Sequence, residues 1–111
     1  MANKFKMVGT ALSSTGLTTL LTAAGSSVCI IGSIIVSNTH GSTTSTITVS
    51  ATDTSGAAAF NIVTLKSYAA GVSTELLTRP LILENLDVLK AQATDANIFD
   101  VIVSYLDRDR T

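Results

Sequence analysis

Side chains that catalyse reactions or bind metals are scarce in this sequence. Its 111 residues include one cysteine, one histidine, one proline and no tryptophan, and only 14% of them are charged. The single Cys29 excludes an intrachain disulfide, so the chain is not a disulfide-stabilised scaffold. A formal net charge of −1 argues against a basic surface for nucleic acid or for membranes. The sequence therefore predicts neither nucleic-acid nor membrane partners.

The few candidate catalytic residues do not form a recognisable site. His40 lies in the segment Asn38-Thr39-His40-Gly41, whose residues are typical of a turn, and we expect its side chain to be exposed there. One histidine and one cysteine cannot build a usual zinc site without carboxylates at ligand spacing. No serine lies in a Gly-x-Ser-x-Gly elbow, and no glycine lies in a phosphate-binding motif. We predict no catalytic, cofactor-binding or metal-binding residues, no cofactor and no enzymatic activity.

The acidic residues of the second half predict solvated carboxylates. Glu84 and Asp87 lie three residues apart, and Asp107 and Asp109 lie two apart. This is too sparse for the dense acidic loop that calcium sites use. Residues 107–110 alternate in sign, as expected for an exposed tail with weak ion pairs or for a segment that docks on a partner.

The apolar segments of the first half do not predict export or membrane insertion. Lys4 and Lys6 precede a weakly apolar stretch that imitates a secretory signal, but polar residues 13–15 interrupt it. The most apolar run, 28–36, has about half the length needed to span a bilayer. Cys29 lies within it and is expected to be a buried small hydrophobe. We predict no cleaved signal and no transmembrane segment.

Threonine and serine supply 30 of the 111 residues, and together with valine and isoleucine they indicate a β protein with a polar, uncharged surface. Turn residues recur about every 8–12 positions, the spacing of an antiparallel sandwich. The sequence predicts an all-β fold, an antiparallel β-sandwich or jelly roll of about 7–8 strands. The candidate strands are 18–22, 28–37, 45–52, 58–65, 73–77, 86–93 and 99–106.

Alternation within these strands predicts which side chains face the core. In the Thr-rich strand, Ile47, Val49 and Ala51 are expected to face inward and Thr46, Thr48 and Ser50 outward. In the last strand, one face carries Phe99, Val101, Val103 and Tyr105, and the other carries Asp100, Ile102, Ser104 and Leu106. The second face is partly apolar, and the run 28–36 is apolar on both faces. Because an isolated sandwich exposes one face of each strand, we predict an oligomer.

Two segments allow other interpretations. Glu84 to Ala93 also fits a helix, with Leu86, Leu89 and Lys90 on one face, although Val88 fits a strand better. Residues 1–16 are expected to form an N-terminal arm, either lying across a neighbouring subunit or frayed. Residues 17–111 would then form a single sandwich domain.

The order of motifs resembles that of small β-sandwich virion proteins of tailed bacteriophages, especially marine and cyanobacterial phages. A segment similar to "Leu-Thr-x-x-x-Gly", but one residue shorter, occurs at 21–25, a "hydrophobic-x-Asn-x-x-Gly" segment ends at Gly41, and "Thr-hydrophobic-Thr-Val" occurs at 46–49. A "Leu-Leu-x-x-Pro-hydrophobic-hydrophobic-Leu-Glu" segment occupies 76–84, and Leu86-Asp87 stands where the group commonly has Gly-Asp. The strand 100–106 resembles the group's closing strand. The aromatic-Pro that usually precedes the Ala-Gly turn is absent here.

This resemblance implies a non-enzymatic structural role in the virion. The leading hypothesis is a capsid decoration (cement) protein, a homotrimer on the outer head shell where major capsid subunits meet. The alternative is a tail, baseplate or fibre-associated component, including a receptor-binding tip. Either would be assembled in the host cytoplasm, with the major capsid protein or other virion proteins as partners. The resemblance carries over no binding residues.

Two further classes compete with these hypotheses. A secreted bacterial adhesin or pilus-like subunit would require export. A hydrolase would have to use His40, because it is the only histidine available as a base.

Overall fold

The structure, a computed structural model, describes residues 2–54 and 58–109. These residues contain nine β-strands. They are β1 (Ala2–Ala11), β2 (Thr18–Thr22), β3 (Ser27–Asn38), β4 (Ser45–Asp53), β5 (Ala58–Tyr68), β6 (Ser73–Glu75), β7 (Leu81–Leu83), β8 (Val88–Ala93) and β9 (Phe99–Asp109). Membrane-crossing helices, which need length as well as hydrophobicity, are absent from these residues.

The strands form two antiparallel sheets that pack face to face. One sheet has the order β1-β9-β3-β6, with β7 also paired to β3, and the other has the order β2-β8-β4-β5. The chain thus pairs β4 with β5, β3 with β6, β2 with β8 and β1 with β9. This is the pattern of one long hairpin rolled into two sheets, with the short β7 added, and it defines a jelly roll. The predicted all-β sandwich is confirmed.

Each of the seven candidate strands corresponds to a strand of the structure, with boundaries that differ by at most a few residues. The helical alternative for Glu84 to Ala93 is wrong, because Val88–Ala93 pairs with β4 and β2 as strand β8. The seven candidates did not include β1 and β7. The latter has only three residues, which is too short for an alternation to show in the sequence.

The segment expected to be an N-terminal arm is extended, but Ala2–Ala11 is the first strand of the roll and pairs with β9 along its whole length. It continues into Leu12, which is buried in the core, and Val8 packs against the same core. The lysines at positions 4 and 6 hide this strand in the sequence. They belong to its inward face near the end of the sandwich, where Lys6 forms an ion pair with Asp107 at 3.3 Å.

The core lies between the sheets and is filled by aliphatic side chains from both. Ile31, Ile34, Ile47, Val49 and Leu89 are fully buried, and alternate positions on each strand supply them. At one end of the core the ring of Tyr68 meets that of Phe99 edge to face, with 5.9 Å between the centroids. Such a core stabilises the sandwich mainly by removing apolar surface from water.

The predicted facing of β4 is confirmed for Ile47 and Val49, and Ala51 is half-buried. Ser50 is a correction, because its residue is only 8% exposed although an outward, solvated position was expected. It lies opposite Lys90 on one neighbouring strand and Asn61 on the other. A small side chain on a central strand, flanked by two longer ones, loses its contact with water.

Buried polar side chains tie the loops at both ends of the roll. The amide nitrogen of Asn38 donates to the carbonyls of Thr43 and Tyr68, both at 2.9 Å, and its oxygen accepts from the His40 N–H. At the other end the Asp87 carboxylate accepts from the backbone N–H groups of Thr54 and Glu84, both at 3.0 Å. These bonds satisfy backbone donors and acceptors that loops would otherwise bury unpaired.

The turn before Asp87 forces an unfavourable backbone conformation on its neighbour. Leu86 has φ of +67°, in the left-handed region that costs a residue with a Cβ about 1–2 kcal/mol. Its N–H donates to the Ala23 carbonyl, and its own carbonyl accepts from the Thr54 hydroxyl. These bonds hold the residue in place. Glycine would adopt this conformation without strain.

We expect truncation of β4 to separate core from surface. Ile47→Ala should lower the free energy of unfolding by about 1–4 kcal/mol because it leaves a cavity in the core. Its neighbour Thr46→Ala, on the outward face, should lower it by less than about 1 kcal/mol. Urea unfolding of both variants measures the difference. Equal losses would show that the facing of β4 is misassigned.

We expect Leu86→Gly to stabilise the protein. The substitution removes the left-handed strain, and it deletes a side chain that is 53% exposed, so little packing is lost. The gain should be a few tenths of a kcal/mol to about 1 kcal/mol, since glycine also adds entropy to the unfolded chain. Leu17→Gly, at a similarly exposed leucine that has no positive φ, is the control and should not stabilise. A loss of stability in Leu86→Gly would contradict the strain assignment.

Candidate functional site

The outer face of the β1-β9-β3-β7 sheet carries a row of apolar side chains that crosses four strands. Phe5 pairs with Leu106, Leu106 with Ile30, and Ile30 with Ile82. Paired residues of antiparallel strands share a face, so these four side chains form one continuous row, about 14 Å across at the usual strand spacing. Phe5 is 88% exposed and Ile82 is 58% exposed. This apolar row is therefore open to solvent.

Further apolar residues extend the row along the strands. Met7 is 66% exposed and Ile102 is 38% exposed, and both lie on the same face as the row because alternate residues of β1 and β9 point the same way. We call these six residues the apolar face: Phe5, Met7, Ile30, Ile82, Ile102 and Leu106. Contiguous exposed apolar surface of this kind marks sites of interaction with other proteins or ligands.

A bulge in β3 shapes a groove in the apolar face. The register between β3 and β9 shifts between Ile31 and Ser33, so that inward positions change from odd residues to even ones. Gly32 lies at this shift and has no side chain to fill the surface above Ser104. The result is a shallow groove of about 340 Å³, lined by Phe5, Lys6, Ile30, Gly32, Ser104, Tyr105 and Leu106.

The Glu75 carboxylate holds the bulge from the neighbouring strand β6. One oxygen accepts from the Ser33 hydroxyl, and the other accepts from the N–H groups of Ile34 at 2.7 Å and Leu77 at 3.1 Å. Partial burial acts to raise the pKa of Glu75, but these hydrogen bonds favour the ionised form and together lower the pKa below its ordinary value. The charged carboxylate is thus part of what positions the groove.

The outer face of the other sheet has the opposite character. It presents mainly hydroxyl, amide and ammonium groups, with Thr48 opposite Gln92, Thr46 hydrogen-bonded to Thr94, and Thr19 opposite Lys90. Leu65, 60% exposed, is an aliphatic exception. The molecule therefore has one apolar face and one polar face, on opposite sides of the sandwich.

His40 is exposed, as the sequence predicts, and it has a defined role in its turn. Its Nδ1 accepts hydrogen bonds from the backbone N–H groups of Ser42 and Thr43, both at 3.1 Å. These bonds occupy the nitrogen lone pair that a general base would need. The histidine acts on the 38–43 loop, and among the described residues no carboxylate or hydroxyl group hydrogen-bonds its ring.

Cys29 is buried, as predicted, with 3% of the residue exposed. Burial raises the pKa of its thiol, the Asp107 carboxylate acts in the same direction, and the Lys6 ammonium opposes them in part. A thiol held in its protonated form is a poor nucleophile and a poor metal ligand. Cys29 therefore serves as a small core residue.

Of the carboxylates that the sequence predicts to be solvated, Glu84 is exposed, but Asp87 and Asp107 are not. Asp87 is only 8% exposed and binds backbone N–H groups. Asp107 and Arg108 belong to β9, where they pair with β1 and β3, so the segment up to residue 109 is a strand and no tail. Arg110 lies outside the described residues. No group of three or more His, Cys, Asp or Glu side chains in the described chain is placed to hold a metal ion.

The sequence predicts strands that are apolar on both faces, but it does not predict the apolar row that crosses four strands. Alternation in β9 and the run 28–36 predicted Ile102, Leu106 and Ile30 on a second face. Phe5, Met7 and Ile82 were missed, although the spacing of Phe5 and Met7 is a strand signal on the same face. Their meeting depends on the register of four strands.

No protein-family model, no curated protein and no solved structure matches the chain. The resemblance to phage sandwich proteins therefore rests on the sequence motifs alone.

We expect the Glu75 contribution to stability to disappear in acid. Its pKa is lower in the folded protein, so the contribution is fully present above the unfolded-chain pKa of about 4.3 and is lost as the pH falls through the lower folded pKa. Glu75→Gln should therefore be less stable than the parent at pH 7, and the difference should shrink at pH 3. Urea unfolding at both pH values measures it. A difference that stays constant with pH would show that the charge has no role.

Proposed function

We propose that this protein is a structural component of a tailed-phage virion, namely a capsid decoration protein that seats its apolar face on the head shell. The observation that carries the proposal is the contrast between the two outer faces. Phe5 is 88% exposed beside Met7 at 66%, and contiguous exposed apolar side chains of this kind are rare in proteins that have no binding partner. A protein that covers a shell needs one adhesive face and one face that tolerates solvent.

The chemistry of the described residues supports a role without catalysis. The polar groups that a reaction could use are held by the fold: His40 and Asp87 bind loop N–H groups, and Cys29 is buried. Decoration needs only area and many copies. Interfaces of about 800 Å² per partner are enough for a stable contact, and an elongated apolar face on a four-strand surface offers a suitable core for one.

The rolled topology is consistent with this proposal by analogy only. Jelly rolls build viral capsid domains, and they also build lectins and cupins, so the fold by itself assigns no function. The motif order that resembles phage sandwich proteins adds a separate reason to place the chain in a virion. Its partners would be the major capsid protein and further copies of itself.

One observation favours the alternative, a tail or fibre component that binds a receptor. A groove of about 400 Å³ on the polar face is lined by Thr15, Thr48, Leu65, Gln92, Ala93 and Thr94. Hydroxyl and amide groups of this kind can hydrogen-bond a carbohydrate. The lining contains no aromatic ring to stack on a sugar, so we prefer the decoration role. Copy number separates the two: hundreds of copies per particle indicate decoration, whereas a dozen or fewer indicate the tail.

We expect loss of shell binding when the apolar face is made polar. Phe5→Ser removes the most exposed aromatic of the face and should weaken binding to empty head shells at least about tenfold, as for an interface hot spot. Leu65→Ser is the matched control, because Leu65 is also exposed, at 60%, but lies beside Thr48 and Gln92 on the outer face of the other sheet. Its binding should stay within about twofold of the parent.

Co-sedimentation of purified protein with shells of the encoding phage measures both variants. Equal weakening in the two would show that the apolar face is not the contact. Failure of the parent protein to bind shells, with labelling on the tail, would replace decoration by the alternative.

A further inference from the structure

The sheet edges of this protein differ in how well they are protected. Edge strands β6 and β7 have three residues each, and β2 has five residues with a register shift. The edge strand β5 is interrupted by two register shifts and by Leu65 at φ +46°. Short strands and bulges are the usual protection against pairing with another chain. β1 has neither, since its ten residues pair with β9 without a shift.

The unpaired backbone groups of β1 belong to its odd-numbered residues. Leu12 directs both its groups toward β9: its N–H donates to the Phe99 carbonyl and its carbonyl accepts from the Asn97 N–H, both at 2.9 Å. Backbone groups of successive strand residues point to opposite sides. The N–H and C=O groups of residues 3, 5, 7, 9 and 11 therefore point away from β9, toward the open edge.

The same strand carries a projecting side chain and a gap that match each other. Phe5 is 88% exposed. Four residues further, Gly9 leaves open space, since a Cβ built there would meet nothing within 4 Å. A depression of about 330 Å³ surrounds that position, lined by Met7, Gly9, Thr10, Ala11, Asp100, Val101 and Ile102. Cross-strand pairing of an aromatic ring with a glycine is a known way of filling such a gap.

We propose that two copies of this chain pair through β1, antiparallel, about a two-fold axis at Met7. This register opposes Phe5 of each copy to Gly9 of the other and Asn3 to Ala11. It uses odd residues, whose N–H and C=O groups are free, as the hydrogen-bonded pairs. A C2 interface of this kind is self-complementary.

Charge and length select this register over its neighbours. An axis at Lys6 would oppose the two Lys6 ammonium groups, and an axis at Phe5 would oppose Lys4 to Lys6; like charges directly opposite each other destabilise a strand pair. An axis at Val8 avoids the charges, but it pairs only residues 5–11, against residues 3–11 for the axis at Met7. With the axis at Met7, Lys4 lies opposite Thr10 and Lys6 opposite Val8.

The pairing deepens the proposed function, since it would join the apolar faces of two copies into one surface across a continuous sheet. It is tested without a shell, so its failure and the failure of shell binding are separate results. Sedimentation equilibrium of the full chain should give twice the 11.5 kDa of one chain. A mass of one chain at every concentration, or the three-chain mass of a trimer, would overturn the two-fold pairing.

Two variants test the edge and the gap separately. Met7→Pro removes an N–H that points to the open edge and leaves the β9 pairing intact. Proline is tolerated in an edge strand at positions of this kind. Gly9→Lys fills the gap with a long side chain, at a position where one copy has room for it. Each should raise the dimer dissociation constant at least about tenfold, while circular dichroism shows a folded chain.

Gly41→Lys is the matched control, because Gly41 also has open space around a built Cβ but lies in a loop outside β1. Its dissociation constant should equal that of the parent. Dimers that survive in Gly9→Lys would overturn the proposed register. If Met7→Pro fails to fold, the Gly9→Lys result decides on its own.

Discussion

The pairing of β3 with β9 is the interaction on which the rest of this structure depends. It runs from Ser27 opposite Asp109 to Asn38 opposite Phe99, and it places the most apolar segments of the chain side by side at the centre of one sheet. Most inward side chains of both strands are buried, and Val36 and Val101, which pair with each other, are fully so. The outward ones supply Ile30, Ile102 and Leu106 to the apolar face. Core and candidate site are thus two sides of the same ladder.

A single bulge makes this double use possible. Cys29 and Ile31 face inward before Gly32, and Ile34 and Val36 face inward after it. Without the shift, the alternation that directs Cys29 and Ile31 inward would direct Ile34 and Val36 to the outer face of the sheet. Glu75 binds the two residues that follow Gly32, Ser33 and Ile34. A charged side chain of β6 therefore helps to hold the geometry of an apolar groove.

Local pattern predicted much of the fold, whereas the site required long-range register. Alternation and turn residues predicted seven strands, because each of those signals lies within a few residues of its strand. β1 was mistaken for an arm since Lys4 and Lys6 interrupt its inward face, and β7 was too short to detect. The row from Phe5 to Ile82 joins residues that are 77 positions apart in the chain. The alternation within one strand does not show which residues of four strands will pair with one another.

The polar residues that are the first candidates for a catalytic site in the sequence stabilise loops in the structure. The candidate functional site is therefore a surface of the sandwich. Asn38, His40 and Asp87 bind backbone groups of loops. Their hydrogen bonds hold the loops at the two ends of the roll. The surfaces that remain are an apolar face, a polar face and one long edge strand without a bulge. β1 contributes to two of these, because Phe5 and Met7 belong to the face while the N–H and C=O groups of the same residues point to the edge. A partner that pairs with β1 must therefore meet the apolar face as well, and hydrogen bonding along the edge and burial of that face reinforce each other.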